Sequence, residues 1–258
     1  MAFRVVVLGS GTIIPTLGRR ATSLLIEAGG EPILFDCGPG ALEALEESGV
    51  SFRSLRTIFL THYHPDHSLG LAHLLAALNA DPANRVENSV TVFGPPGLVM
   101  LVERLQACYR SMTAKRGFLK LIEIGEGPVP RKGAASISAA AASHGDAAAL
   151  AYRFDFRGAS IVFTGDTSFS DSLARFSKGT DCLFAECSVP DSRPLAGHLT
   201  PADVGRLAAA AGPRRVVLVH MYPLFAGEDP IAGIRRWYDG PVDIAWDSME
   251  FRIGTEGG

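Results

Sequence analysis

The sequence predicts an α+β fold in which helices pack on the outer faces of sheets. Three observations carry this. Short apolar runs closed by turn residues recur along the whole chain. The early runs follow one another directly, whereas the later ones alternate with helical patterns. Several runs end in polar residues able to do chemistry, namely Thr61-His62, Gly165-Asp166, Glu186 and His220. Polar residues gathered at strand ends are where an active site is assembled.

The elements follow in order. Strands are expected at 3–9, 22–28, 31–36, 57–61, 90–93, 119–124, 136–143, 149–156, 159–164, 182–186, 215–219 and 242–246. Helices are expected at 39–48, 68–79, 96–108, 170–176, 201–211 and 229–238. The helix at 201–211 has the fullest signal. Thr200 caps it, Pro201 takes the first position and Asp203 lies in the first turn. Val204, Leu207 and Ala208 then fall at helical spacing. The Ala-rich stretch 134–149 resembles a domain break, yet it carries strand-like runs. The chain is therefore expected to form one domain over 1–258. The segment 111–133 holds Gly, Pro and five basic residues and is expected to be an exposed or mobile excursion.

Charge and composition exclude several classes. The 258 residues include 24 Lys and Arg against 27 Asp and Glu, a net charge of −3, so bulk charge does not mark a nucleic-acid binder. No apolar run reaches the ~18 residues of a membrane span. The opening MAFRVVVLGSGTIIP lacks a secretory pattern, so a cytoplasmic protein with no membrane partner is expected. Cys37, Cys108, Cys182 and Cys187 form no CxxC pair and read mostly as buried thiols.

The segment Thr61-His62-Tyr63-His64-Pro65-Asp66-His67 places three imidazoles and a carboxylate within six residues. Neutral imidazoles so crowded need many hydrogen-bond partners, and charged ones repel. A divalent metal satisfies them together. His62 and His64 can face one side, while Asp66 and His67 fall on the opening turn of the next helix. Such a loop offers ligand pairs to two neighbouring ions. Further ligands must come from elsewhere. The candidates are His144 and Asp166 after strands, His220 at the end of VVLV, and His198 in Gly197-His198-Leu199-Thr200. His73, inside an apolar helix, reads as a helix-face residue.

The run HYHPDH, followed by His144, Gly165-Asp166-Thr167 and His220, resembles the metallo-β-lactamase superfamily. Gly9-Ser10-Gly11-Thr12 with Pro15, Phe35-Asp36-Cys37-Gly38, Phe93-Gly94-Pro95-Pro96-Gly97, Ala185-Glu186-Cys187 and Gly197-His198-Leu199-Thr200 are similar to its ribonuclease Z-like phosphodiesterase branch. The resemblance implies a four-layer αβ/βα sandwich with two metals at one edge. It implies His62, His64 and His144 at one ion and Asp66, His67 and His220 at the other, with Asp166 shared. His64 stands where oxygen-reducing di-iron members carry Glu, which favours hydrolysis. The implied cofactors are two divalent ions. Mixed nitrogen and oxygen ligation suits Zn²⁺, with Mn²⁺ or Fe²⁺ tolerated.

In that branch two ions share and activate a water that attacks phosphorus. Asp66 then counts among the catalytic residues, and His198, oriented by Glu186, supports departure of the leaving oxygen. Only 21 residues separate His144 from Asp166, enough for a hairpin and too few for the long tRNA-gripping arm of ribonuclease Z enzymes. His220-Met221-Tyr222-Pro223 also departs from the branch's pattern. The expected substrate is therefore a small, cyclic or short-nucleotide phosphodiester. Cleavage of RNA, as in tRNA 3′-end processing, is the alternative, by a dimer whose partner replaces the missing arm. A thioester or lactone hydrolase of the same superfamily is a further alternative. A non-catalytic module keeping the fold would be expected to lose ligands, and all seven are present. A homodimer is plausible by resemblance. The basic pairs Arg19-Arg20, Lys115-Arg116 and Arg131-Lys132 read as solvated surface or as a small phosphate-facing patch.

Overall fold

The computed structural model describes residues 2–82, 89–110, 118–225 and 227–254. Two seven-stranded sheets face each other. The first is built from β1 (Phe3–Gly9), β2 (Ser23–Ala28), β3 (Glu31–Phe35), β4 (Thr57–Phe59), β5 (Val90–Gly94), β6 (Leu119–Glu123) and β14 (Glu250–Ile253), in the order β14-β1-β2-β3-β4-β5-β6. The second takes β7 (Gly127–Pro128), β8 (Ser136–His144), β9 (Ala147–Phe156), β10 (Ala159–Phe163), β11 (Cys182–Glu186), β12 (Arg215–Val219) and β13 (Val242–Ile244), in the order β13-β12-β11-β10-β9-β8-β7. Helices α1 (Ala41–Glu47), α2 (Pro65–Ala80) and α3 (Leu98–Cys108) cover the first sheet. Helices α4 (Asp171–Phe176), α5 (Pro201–Ala211) and α6 (Pro230–Ile234) cover the second.

The four layers follow from strands buried on both faces, which read as continuous apolar runs. In β1, Val5 and Val7 enter the core between the sheets, while Val6 and Leu8 face the helices. The central layer is aromatic. Phe59 stacks between Phe35 and Phe93 with ring centroids 5.0 and 4.8 Å away. Tyr152 from the opposite sheet closes on Phe59 at 5.2 Å and donates its hydroxyl to the Leu60 carbonyl at 2.8 Å. The backbone N–H of Leu150 donates to the Thr61 carbonyl at 2.9 Å. These contacts join the two sheets beside the edge where β4, β8, β10, β11 and β12 end.

Most expected elements are present within a residue or two, and 201–211 is a helix with the expected cap and capping box. The differences have physical reasons. Helix α2 begins at Pro65 rather than 68, because His64 is its extended N-cap and Pro65 suits the first helical position. Helix α6 stops at Ile234, well short of 238. Of the segment 111–133, residues 111–117 lie outside the described ones, and the rest is not an excursion. There β6 pairs with β5 in the first sheet and β7 pairs with β8 in the second, so this segment carries the chain between the sheets. Strand β14 was not foreseen, because Glu250 and Arg252 leave it only two inward apolar residues, Phe251 and Ile253. Cys37, Cys182 and Cys187 are buried, but Cys108 is exposed. Among the described residues, no helix is long and apolar enough to cross a membrane.

One close approach fixes where α2 starts. The Cys37 N–H donates to the His67 carbonyl and the Gly70 N–H to the Cys37 carbonyl, each at 2.8 Å. A Cβ on Gly70 would lie 2.3 Å from the Gly38 carbonyl oxygen and 2.7 Å from that of Cys37. Gly70→Ala should therefore destabilise the fold although alanine is the better helix former by ~1 kcal/mol. Overpacking against rigid backbone should leave a net loss of about 1–2 kcal/mol, read as a lowered midpoint in denaturant. An unchanged or raised midpoint would show that the contact can relax.

Candidate metal centre

The site residues leave the ends of strands that run to one edge. The loop after β4 gives His62 and His64, and the first turn of α2 gives Asp66 and His67. Strand β8 ends in His144, β10 leads into Asp166, β11 ends in Glu186, and His220 follows β12. Asp36 after β3 and His220 after β12 are non-glycine residues with φ of 57° and 52°. Such conformations persist where the surroundings over-determine them, and they cluster at functional sites. Gly165 has φ of 56°, and a Cβ there would lie 2.7 Å from that of Thr61. Only glycine lets Asp166 approach the first loop so closely.

Two donor groups form. His62, His64, His144 and Asp166 make one, and Asp66, His67 and His220 the other; within each, the ligand atoms all lie within 4.8 Å of one another. Asp166 sits between them. Its Oδ1 is 3.3 Å from His67 Nε2, and its Oδ2 is 3.4 Å from His220 Nε2 and 3.8 Å from Nε2 of both His62 and His144. Asp66 Oδ2 is 3.3 Å from His220 Nε2. Asp166, His198 and His220 form a third overlapping group. The Nδ1 of His198, however, already faces both Glu186 carboxylate oxygens at 3.2 Å.

Outer hydrogen bonds aim the imidazoles inward. Buried Asp36 accepts from the Thr61 N–H at 2.7 Å, the Thr61 hydroxyl at 2.9 Å and His67 Nδ1–H at 2.7 Å. With its hydrogen given to Asp36, the Thr61 oxygen accepts from His62 Nδ1–H at 3.0 Å. His144 donates Nδ1–H to the Gly197 carbonyl at 2.8 Å, and His220 donates to the Ser188 hydroxyl oxygen at 2.8 Å. Each of these four rings thereby turns Nε2 towards Asp166. Partners of this kind fix both tautomer and orientation of metal-binding histidines.

The donors fit divalent cations. His62 Nε2, His67 Nε2 and Asp166 Oδ1 are buried without a hydrogen-bond partner. His144 Nε2, unprotonated because the ring hydrogen is on Nδ1, accepts from His64 Nδ1–H at 3.0 Å. Burial drives the His62 imidazolium pKa down to about 2, so this ring is a neutral donor. Burial also raises Asp66, but the hydrogen bond to His220 and the charge of His67 outweigh it and leave the carboxyl at about 2. For His67, burial favours the neutral ring, yet Asp166 and Asp36 together hold it charged when no other cation balances them. Charged carboxylates among neutral nitrogens match the mixed ligation of Zn²⁺-type ions.

Beside this cage lies a second constellation. Glu186 accepts from the Thr167 N–H at 2.6 Å and from the Ser188 hydroxyl. Ser188 Oγ also lies 3.2 Å from His198 Nδ1, so one hydroxyl touches Glu186, His198 and His220. Burial disfavours the His198 imidazolium, but the Glu186 hydrogen bond and charge outweigh it and raise its pKa.

Every sequence-expected site residue is thus drawn into one edge, and His73 lies apart as an exposed helix-face residue near Glu43. Sequence reasoning assigned no role to Asp36, Thr61 or Ser188. Asp36 had the signal, since it closes the apolar run of β3 as Asp166 follows that of β10. Of the basic pairs, Lys132 is exposed surface, as expected, whereas the three arginines described have protein partners. Arg19 is half-buried, donates to the Ala245 carbonyl at 2.9 Å and stacks over Trp246. Arg20 pairs with Glu47, and Arg131 pairs with Glu31. Lys115 and Arg116 lie outside the described residues.

A two-sheet sandwich with this donor set at one edge defines the class of metallo-hydrolases. Comparison with known proteins agrees. The family model "Beta-lactamase superfamily domain" matches residues 32–221, well over half of the chain. A ribonuclease Z of Bradyrhizobium sp. (strain ORS 278) is 28% identical, covering 90% of this chain and 94% of its own. That comparison runs over 286 positions, more than the 258 residues here, so the relative carries segments this chain lacks. The metallo-beta-lactamase fold protein YhfI of Bacillus subtilis superposes with a TM-score of 0.85 at 22% identity, over 97% of this chain and 99% of its own. Human tRNase Z, short form, gives 0.78 at 22% identity over 96% and 98%. The chain belongs to the beta-lactamase superfamily. It is a hydrolase of the ribonuclease Z-like kind, with the four-layer fold of that superfamily.

Asp36→Ala leaves the Thr61 N–H, the Thr61 hydroxyl and His67 Nδ1–H without their acceptor. Each buried unsatisfied group costs ~1–3 kcal/mol, so a loss of about 3 kcal/mol is expected in denaturant melts of metal-free protein. Zn²⁺ affinity should fall by about 10–100-fold in a competition titration. Wild-type affinity in this variant would show that Asp36 does not aim the ligands.

Proposed function

We propose that residues 1–258 act as one unit, a dinuclear metal-dependent phosphodiesterase for small or short-nucleotide phosphodiesters. His62, His64 and His144 would hold one ion and Asp66, His67 and His220 the other, with Asp166 shared. Zn²⁺ is the ion this donor set favours, and Mn²⁺ or Fe²⁺ meet the same ligands. The observation that carries the reading is the hydrogen-bonded group of Glu186, Ser188 and His198 set against the cage.

Divalent ions held there supply Lewis acidity towards phosphoryl oxygens and lower the pKa of water from about 15.7 towards ~7. The rest falls to side chains. Asp66 and Asp166 stay ionised and keep the cage electron-rich. His198 holds a proton on the ring, with Nδ1–H anchored to Glu186, and gives a proton to the departing ester oxygen as its bond to phosphorus breaks. Glu186 stabilises the imidazolium and fixes its plane. Ser188 locks Glu186 in place and ties the acid to His220. A positioned acid of this kind contributes ~10²–10⁴-fold in rate. It matters most where the leaving oxygen is a poor one, as in an alkyl phosphodiester.

Two features support a small substrate. Between His144 and Asp166 the chain makes the β9–β10 hairpin and no arm. Arg19 and Arg20 are engaged with protein partners rather than turned out to a long phosphate backbone. The names of the curated relatives favour a second reading, tRNA 3′-end processing. The thioester or lactone reading gives Glu186, Ser188 and His198 no comparable task.

The test is metal analysis together with turnover of bis(p-nitrophenyl) phosphate. Wild-type protein loaded with Zn²⁺ or Mn²⁺ should bind about two ions and hydrolyse the diester. His198→Ala should keep its metal and lose ~10²–10⁴-fold in kcat on a diester with a poor leaving group. Asp166→Ala should lose both metal and activity. Equal activity of His198→Ala and wild type on that substrate would remove His198 from the mechanism. Faster cleavage of a tRNA precursor than of any small diester would decide for the second reading.

A further inference from the structure

Helix α3 buries Leu98 and Val102 against the first sheet but leaves Val99 and Met100 exposed. Beside this open face is a cleft of about 330 Å³, bounded by Tyr63, Pro96, Met100 and Leu101, with His64 of the cage in its wall. Arg104, one helical turn beyond Met100, also lines it. The aromatic wall is fixed. The Tyr63 hydroxyl donates to the Pro95 carbonyl. A Cβ on Gly94 would lie 2.8 Å from the Tyr63 hydroxyl oxygen, and a Cβ on Gly94 or Gly97 would lie 3.4 Å from its ring. Ala147 and Ala148 complete the lining. Their small side chains keep the cleft open. Arg104 is exposed and makes no hydrogen bond or ion pair among the described residues.

We propose that this cleft receives the retained ester group of the phosphodiester, and that this group is a flat aromatic one bearing a second negative charge, such as a nucleoside with a further phosphate. The inference rests on the phosphodiesterase reading and adds the substrate's identity to it. The volume is that of a small-ligand pocket, and such pockets are mainly apolar with a few placed polar groups. A tyrosine face, a proline and a polarizable methionine suit a flat ring. A guanidinium with no partner among the described residues, lying beyond them, suits a phosphate. His198 is not among the lining residues, so the ester group that leaves belongs elsewhere and the one in the cleft stays on phosphorus.

The test compares two esters with the same leaving group on Zn²⁺-loaded protein: thymidine 5′-(p-nitrophenyl phosphate) and methyl p-nitrophenyl phosphate. The nucleoside ester should show kcat/KM at least ~5-fold higher, through KM, as expected for one aromatic stack. Adding a 3′-phosphate to the nucleoside should lower KM again, and Arg104→Ala should abolish that second gain alone. Ala148→Trp, which fills the cleft, and Met100→Glu, a substitution on an exposed helix face, should each bring the ratio of the two esters close to one. Equal kcat/KM for both esters in wild type, or a preference that survives both substitutions, would overturn the proposal while leaving the phosphodiesterase reading intact. If neither ester turns over, that reading fails. Calorimetric titration with thymidine 5′-monophosphate then decides the cleft by itself. Binding that both substitutions weaken several-fold supports it, and absent or unaffected binding overturns it.

Discussion

The structure depends on one buried carboxylate. Asp166 lies where the two sheets meet, with four imidazole Nε2 atoms within 3.8 Å. A carboxylate so placed is stable only if positive charge is brought to it, and none of the surrounding rings is free to turn away. Each ring's other nitrogen is committed to a partner behind it: Thr61, Asp36, Gly197 or Ser188. The site is thus a convergence of lone pairs imposed by hydrogen bonds made outside it.

The fold makes that convergence by ordinary means. Parallel strands β3 and β4 in one sheet and β10, β11 and β12 in the other deliver their carboxyl ends to a common edge. Cross-sheet contacts from Tyr152 and Leu150 hold the first loop against the second sheet. The glycines at 70 and 165 then permit approaches that any side chain would prevent. The same edge keeps Glu186 and His198 against the cage, because Ser188 touches Glu186, His198 and His220 at once.

The fold's strands and the candidate ligands that it gathers at one edge were legible in the sequence, since both are local signals. Three histidines and an aspartate within 62–67 declare themselves by spacing, and His144, Asp166 and His220 close apolar runs. Asp36 was not read because its partners Thr61 and His67 lie 25 and 31 residues away, and Ser188 because its role shows only once the fold brings Glu186, His198 and His220 to one hydroxyl. The short edge strands β7 and β14 carry too few apolar residues to stand out. The segment after 117 looked like surface because its Gly, Pro and charges belong to edge strands passing from one sheet to the other. The arginine pairs looked free because their acids, Glu47 and Glu31, lie on other elements.

The central claim is that seven side chains form one cage for two ions with Asp166 in common, and that His198 stands outside it. The most direct measurement is a crystal structure of Zn²⁺-loaded protein with anomalous scattering recorded at the zinc edge. The account predicts two peaks, one among His62, His64 and His144 and the other among Asp66, His67 and His220, with Asp166 touching both. A single peak, or a peak ligated by His198, would contradict it.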